Sequence, residues 1–129
     1  MYENMKKLID ANVILRYLLG DHPQMSEKAK KVIDKCHESG VDNIVLSTKE
    51  PFMYPYITEV IDYCSLYKIK IAIITNGTLI DEKKLKNLLD NSETINYIAF
   101  SLEGVSPETN DFVRGEGVFE KVMSVVSKI

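Results

Sequence analysis

The stretch Ile69-Lys70-Ile71-Ala72-Ile73-Ile74-Thr75-Asn76-Gly77 decides the fold. Its seven leading residues, mostly branched and apolar, read as a strand, and Asn76-Gly77 reads as the turn that closes it. On the amino side, Ile57, Val60, Ile61, Cys64 and Leu66 recur at helical spacing between Tyr56 and Tyr67. On the carboxyl side, Asp81 opens another helix that carries Leu85, Leu88 and Leu89. A short strand set between two such helices is the repeating piece of a βα architecture.

Working outward, the same alternation continues. Asn43 to Ser47 is a buried strand followed by the loop Thr48-Lys49-Glu50-Pro51. Before it, Ser26 starts a helix whose inner face is Ala29, Val32, Ile33 and Cys36, and Gly40 ends it. Lys7 to Asp10 reads as the first strand, with a short helix over Val13 to Leu19 stopped by Gly20 and a turn at His22-Pro23. Toward the carboxyl end come a strand from Tyr97 to Leu102, a loop of small and polar residues from Glu103 to Gly117, and a last helix from Val118. The fold class is therefore α/β: four repeated βα units about a parallel sheet. Two arrangements satisfy it, an open three-layer, flavodoxin-like sheet or half of a TIM-type barrel.

Composition narrows the function classes. The 129 residues fit one domain, and 45% hydrophobic with 27% charged residues is the balance of a folding chain. A net charge of -3 gives no general attraction to nucleic acid or anionic lipid. Met5-Lys6-Lys7 runs into Leu8, Ile9 and then Asp10, which is no signal peptide, and no apolar run reaches membrane-spanning length. A cytoplasmic, reduced protein is expected. Cys36 and Cys64 each sit inside a helical pattern and read as buried thiols rather than a disulfide or a metal clip. His22 and His37 read as solvent-facing, the lysines at 28, 30, 31 and 35 as a solvated helix face, and Tyr54, Tyr56, Tyr63 and Tyr67 as packing. An anion cradle at Gly104, Arg114, Gly115 and Gly117 fits no phosphate motif.

Ligands of parallel βα folds bind at the carboxyl ends of the strands. Four polar clusters fall there: Asp10 with Asn12, Ser47 to Glu50, Thr75 to Gly77, and Ser101 with Glu103. Turn chemistry alone explains each as a cap or turn.

From about Ile33 onward, several elements stand in order: the strand ending in Ser47, Glu50-Pro51, Thr75-Asn76-Gly77-Thr78-Leu79-Ile80, and Ser101-Leu102-Glu103-Gly104. Ser106-Pro107-Glu108-Thr109-Asn110-Asp111 and the run from Val113 to Val122 continue the series. Residues 33–129 thereby resemble the core of radical S-adenosylmethionine (SAM) enzymes. That resemblance implies a partial barrel, with Glu50, Thr75, Asn76 and Ser101 lining a SAM site. It also implies a Cys-x-x-x-Cys-x-x-Cys loop after the first strand, holding an iron–sulfur cluster. This chain has no such triplet, replaces the family's Gly-Gly before Glu50 by Thr48-Lys49, and ends after the fourth βα unit. Electron transfer into SAM is accordingly not expected, and residual SAM affinity is the most the resemblance implies.

Residues 5–32, with Asp10-Ala11-Asn12-Val13-Ile14-Leu15 and Gly20-Asp21-His22-Pro23, resemble instead the start of PIN-domain ribonucleases of toxin-antitoxin pairs. That resemblance implies Asp10 as a carboxylate ligand of Mg²⁺ or Mn²⁺, for which Glu50, Glu103 and Asp111 are the available companions. Together the two resemblances suggest a chimera joined between Ser26 and Ile33. The expected function is a non-catalytic composite domain. The alternatives are a PIN-like Mg²⁺-dependent ribonuclease and a scaffold that self-associates through an exposed sheet edge.

Overall fold

A computed structural model describes residues 8–10, 25–47 and 49–129. Four strands form one sheet: β1 (Leu8–Asp10), β2 (Asn43–Leu46), β3 (Lys70–Thr75) and β4 (Ile95–Phe100). Their spatial order is β1-β2-β3-β4 and every neighbouring pair is parallel. This order separates the two arrangements left open by the sequence. A flavodoxin-like sheet reverses direction after its first crossover, whereas right-handed crossovers that each step one strand onward generate an arc of a barrel. The arc is what forms.

The helices between and after the strands are α1 (Met25–Glu38), α2 (Ile57–Leu66), α3 (Glu82–Asp90), α4 (Pro107–Arg114) and α5 (Val118–Val126). One 3-10 turn, Pro51–Met53, follows β2. Ile44, Leu46, Ile71 and Ile73, paired across β2 and β3, face Ile33, Ile57, Ile61 and Leu85 in one buried cluster. Each such fully buried side chain contributes about 1.5–3 kcal/mol by leaving water. Cys36 and Cys64 belong to the same cluster and are free thiols.

The helix ends follow from the sequence. Past α1, Gly40 takes a φ of +73° while its N–H and that of Val41 donate to the His37 and Cys36 carbonyls. This double closure is the usual stop for a helix that needs a left-handed residue. After α2 the same closure falls on Lys68, at φ +55°, with Ile69 N–H donating to the Cys64 carbonyl at 3.0 Å. Asp81 caps α3 by accepting from Lys84 N–H at 2.9 Å, as expected. Asp34 of α1 accepts from the hydroxyls of Tyr63 at 2.7 Å and Tyr67 at 2.6 Å on α2. The Tyr67 and then the Tyr63 hydrogen bond hold the Asp34 carboxyl below its ordinary value. The expected packing role of the tyrosines is met, and His37, although exposed, stacks on Tyr67 at 4.4 Å.

Several expectations need correction. The stretch 103–117 is not all loop, because α4 occupies Pro107–Arg114 within it. The fourth strand starts at Ile95 rather than Tyr97 and ends at Phe100. Its register slips between Ile71 and Ala72, so Asn96 is an extra residue, and its Nδ2 donates to Asn43 Oδ1 at 2.8 Å. Leu66, grouped with the inner face of its helix, is 77% exposed. The helix expected over 13–19 and the turn at His22-Pro23 lie outside the described residues.

Candidate functional site

The carboxyl ends of β2 and β3 are tied together by one carboxylate. Glu50, 7% exposed, accepts through Oε1 from the Thr75 hydroxyl at 2.6 Å and from Phe52 N–H at 3.1 Å. Its Oε2 accepts from Asn76 N–H at 2.7 Å. Pro51 explains why this happens locally: with no N–H and a fixed φ it starts the 3-10 turn, and Glu50 becomes the cap whose side chain takes the next free N–H. Thr75 passes the chain of bonds onward, its Oγ1 accepting from Gly77 N–H at 3.0 Å. Ser101 N–H then donates to the Thr75 carbonyl at 2.9 Å. Bonds to an ionised partner contribute about 1.5–3 kcal/mol each, so this latch is a principal tie between β2 and β3.

All four strand-end residues singled out in the sequence therefore meet, but in two states. Glu50 and Thr75 are buried and committed to one another. Asn76 and Ser101 are half-buried at the rim. The Asn76 Oδ1 accepts from the N–H of Thr78 at 2.9 Å and its hydroxyl at 2.8 Å, and no described residue takes its Nδ2 hydrogens. The turn needs its glycine: Gly77 has a φ of +74°, and a Cβ there would stand 2.9 Å from Phe100 Cδ1.

Lys49 sits at φ +53° in the position of the second glycine of the Gly-Gly-Glu-Pro pattern. The backbone keeps the left-handed conformation that glycine adopts freely, while the sequence supplies a residue for which it costs about 1–2 kcal/mol.

A second network closes the end of β4. Ser106 accepts from Thr109 N–H and Pro107 follows it, so the start of α4 carries a full capping box. Asn110, 0% exposed, accepts Glu103 N–H at 2.8 Å. Asp111 accepts Gly117 N–H at 2.7 Å and Phe119 N–H at 2.8 Å, fastening α4 to the start of α5. Desolvation pushes the Asp111 carboxyl up, and the bonds from Phe119 N–H, Asn110 and Gly117 N–H outweigh it, leaving its pKa lowered. Arg114 donates to Glu103 Oε1. The glycine cradle considered for an anion thus receives the chain's own Asp111, and its arginine is paired. Gly104 is required by contact, since a Cβ would lie 2.7 Å from the Asn110 backbone nitrogen. Sequence reading missed the part of Asn110 and considered Asp111 and Arg114 only for other roles; the cue to the network was the Ser106-Pro107 helix start.

The thiols do not suit an iron–sulfur cluster. Cys36 and Cys64 project into the core, and burial raises both, the Cys64 thiol to about 12, where the thiolate a cluster needs is scarce. Asp10 ends β1 opposite Val45, and its side chain lies outside the described residues. The companions considered for it are occupied: Glu50 by the latch, Glu103 by Arg114, Asp111 by two N–H groups. Among the described residues no helix is long and apolar enough to cross a membrane.

Comparison with known proteins bears on these strand ends. Residues 24–129 match the radical SAM superfamily. The chain is 32% identical over 102 residues to the antilisterial bacteriocin subtilosin biosynthesis protein AlbA of Bacillus subtilis, covering 78% of this chain and 22% of that protein. It is 34% identical over 99 residues to Fe-coproporphyrin III synthase of Methanosarcina barkeri, covering 76% of this chain and 24% of that protein. The chain thus spans less than a quarter of the length of either relative. Streptococcus suis SuiB, solved bound to S-adenosylmethionine, superposes with a TM-score of 0.60 at 24% identity, over 67% of this chain and 20% of that one. The match begins at residue 24, inside the segment assigned to the PIN-like part, and these matches lend no support to a PIN resemblance or a chimera.

Proposed function

This chain belongs to the radical SAM superfamily, and from that premise we propose that its 129 residues form the strand-end half of such a core without iron–sulfur chemistry of their own. In this reading they bind SAM weakly. The observation that carries it is the latched rim, in which Glu50 and Thr75 hold β2 to β3 and leave Asn76 and Ser101 as the ligand-facing groups. Glu50 and Thr75 are then positioning residues, fixing the turn from which Asn76 offers its Nδ2 hydrogens. Ser101, hydrogen-bonded through its backbone to Thr75, is held beside them with its hydroxyl for a polar group of the ligand.

Lys49 supports weak rather than tight binding. The glycines at this place let backbone approach a ligand, and a lysine there adds bulk and a positive charge beside the site of SAM's amino group. The cysteines support the absence of cluster chemistry, since neither the number nor the burial of these thiols meets the ligation a cluster requires.

The test is a two-dimensional amide NMR titration with SAM. The expected result is shifts confined to Asn76, Gly77 and Ser101, with a dissociation constant on the order of 1 mM, lost in Asn76→Ala while the remaining spectrum keeps its dispersion. Dispersed peaks that do not move with SAM would overturn the SAM reading. Iron retained on anaerobic reconstitution of the protein would overturn the claim that it has no cluster.

A further inference from the structure

We infer that the rim prefers an adenine nucleoside carrying a 5′-phosphate to SAM, with Lys49 as the residue that sets this charge preference. The nucleoside part rests on the SAM reading above. The preference for negative charge comes from the side chains of this rim.

The acceptors described at the rim are spent inside the protein, and its donors are not. Glu50 turns its charge inward, onto the Thr75 hydroxyl and the Phe52 and Asn76 N–H groups. Glu103 is met by Arg114, and Asp111 by the N–H groups of Gly117 and Phe119. The Asn76 Oδ1 already accepts twice from Thr78. Three donors remain with no acceptor among the described residues: the Lys49 ammonium, the Asn76 Nδ2 hydrogens and the Ser101 hydroxyl. Lys49 is exposed and belongs to none of the ion pairs that the described residues form. It directly precedes Glu50, which holds the Asn76 N–H at 2.7 Å, and the Ser101 N–H is held on the Thr75 carbonyl at 2.9 Å. One connected set of bonds thus brings the three donors to neighbouring strand ends.

Such a rim discriminates by sign. A cationic group placed there meets a like charge and no uncommitted carboxylate among the described residues, whereas a phosphate meets an ammonium and two neutral donors. SAM carries a sulfonium and an amino group against one carboxylate and is a net cation. Adenosine 5′-phosphate (AMP) keeps the nucleoside and ends in a phosphate that is mostly doubly ionised at neutral pH. Lysine suits that group as a compact charge on a long flexible stem. Because Lys49 already holds a glycine's backbone at φ +53°, Lys49→Gly removes the charge without redirecting the loop.

The experiment is an amide NMR titration in phosphate-free buffer with AMP, adenosine, SAM and inorganic phosphate. The proteins are the wild type, Lys49→Gly, Lys49→Gln and Lys68→Gly. Lys68 is the control: it is exposed and left-handed too, at φ +55°, but it precedes β3 and so stands at the opposite end of the sheet. In the wild type and Lys68→Gly, AMP is expected to shift Asn76, Gly77 and Ser101 and to bind about tenfold more tightly than SAM or adenosine. Phosphate alone is expected to bind more weakly than AMP. In both Lys49 variants the advantage of AMP over adenosine should fall to about twofold or less. Should Lys49→Gly not fold, Lys49→Gln carries the test, since it keeps the Cβ and loses only the charge. AMP no tighter than adenosine, an advantage that survives both Lys49 variants, or one lost equally in Lys68→Gly would each overturn the inference. Phosphate as tight as AMP would overturn its nucleoside part. The two readings fail separately: SAM tighter than AMP at the rim overturns this one and leaves SAM binding standing, whereas AMP shifts without SAM shifts overturn SAM binding and support the preference for phosphate.

Discussion

Glu50 and Glu103 stand at the carboxyl ends of β2 and β4, on the same rim, and do different work. Glu50 is buried and accepts three hydrogen bonds, one from its own turn and two from the end of β3. Glu103 keeps 43% of its side chain in water and meets Arg114, itself 32% exposed. The same residue type is a structural latch in one place and a solvated ion pair in the other, and burial makes the difference. A carboxylate taken out of water must find donors for its charge, and those donors lose partners if it is removed. One left in water loses little either way.

The comparison breaks most sharply at Glu50→Ala. Removing the carboxylate strands the Thr75 hydroxyl and the Phe52 and Asn76 N–H groups, and a loss of about 3 kcal/mol is expected in urea unfolding. A loss below about 1 kcal/mol would mean that water replaces the latch. A smaller effect of opposite sign is expected next door. Lys49→Gly relieves the left-handed strain but adds chain entropy to the unfolded state, for a net gain of about 0.5 kcal/mol in the same assay. Lys49→Ala, which keeps the Cβ, should give no such gain. The smallest effect belongs to Glu103→Gln, expected below about 0.5 kcal/mol and fading with added salt, as an exposed pair does. Equal losses at Glu50 and Glu103 would remove the distinction between them.

Legibility in the sequence followed the range of the signal. The run Ile69–Thr75 with Asn76-Gly77, the Asp81 cap and the glycine stop at Gly40 were readable because each acts within a few residues. The helix Pro107–Arg114 was equally local, and Ser106 before Pro107 announces it, but its one fully buried side chain is Asn110, so no apolar stripe marked it. Leu66 misled for the converse reason: an apolar residue at the end of a helix keeps its spacing even where the neighbouring element does not reach it. At the candidate site, strand-end placement marked the polar clusters, and the family resemblance implied the four residues Glu50, Thr75, Asn76 and Ser101 within them. Their division into latch and rim was not legible, since Glu50 and Thr75 lie 25 positions apart in the chain.

The sequence by itself determined the α/β class, the βα repeat, the membership of a strand-end motif family and the lack of a cysteine triplet. All of these are local patterns or counts, and local patterns survive without a fold. Only the tertiary structure decided that the strands run in one direction around an arc, that Lys49 keeps a glycine's backbone, and that Glu50 spends its charge inside the protein. Those depend on which strand lies beside which, and on how much water is left at each carboxylate once they do.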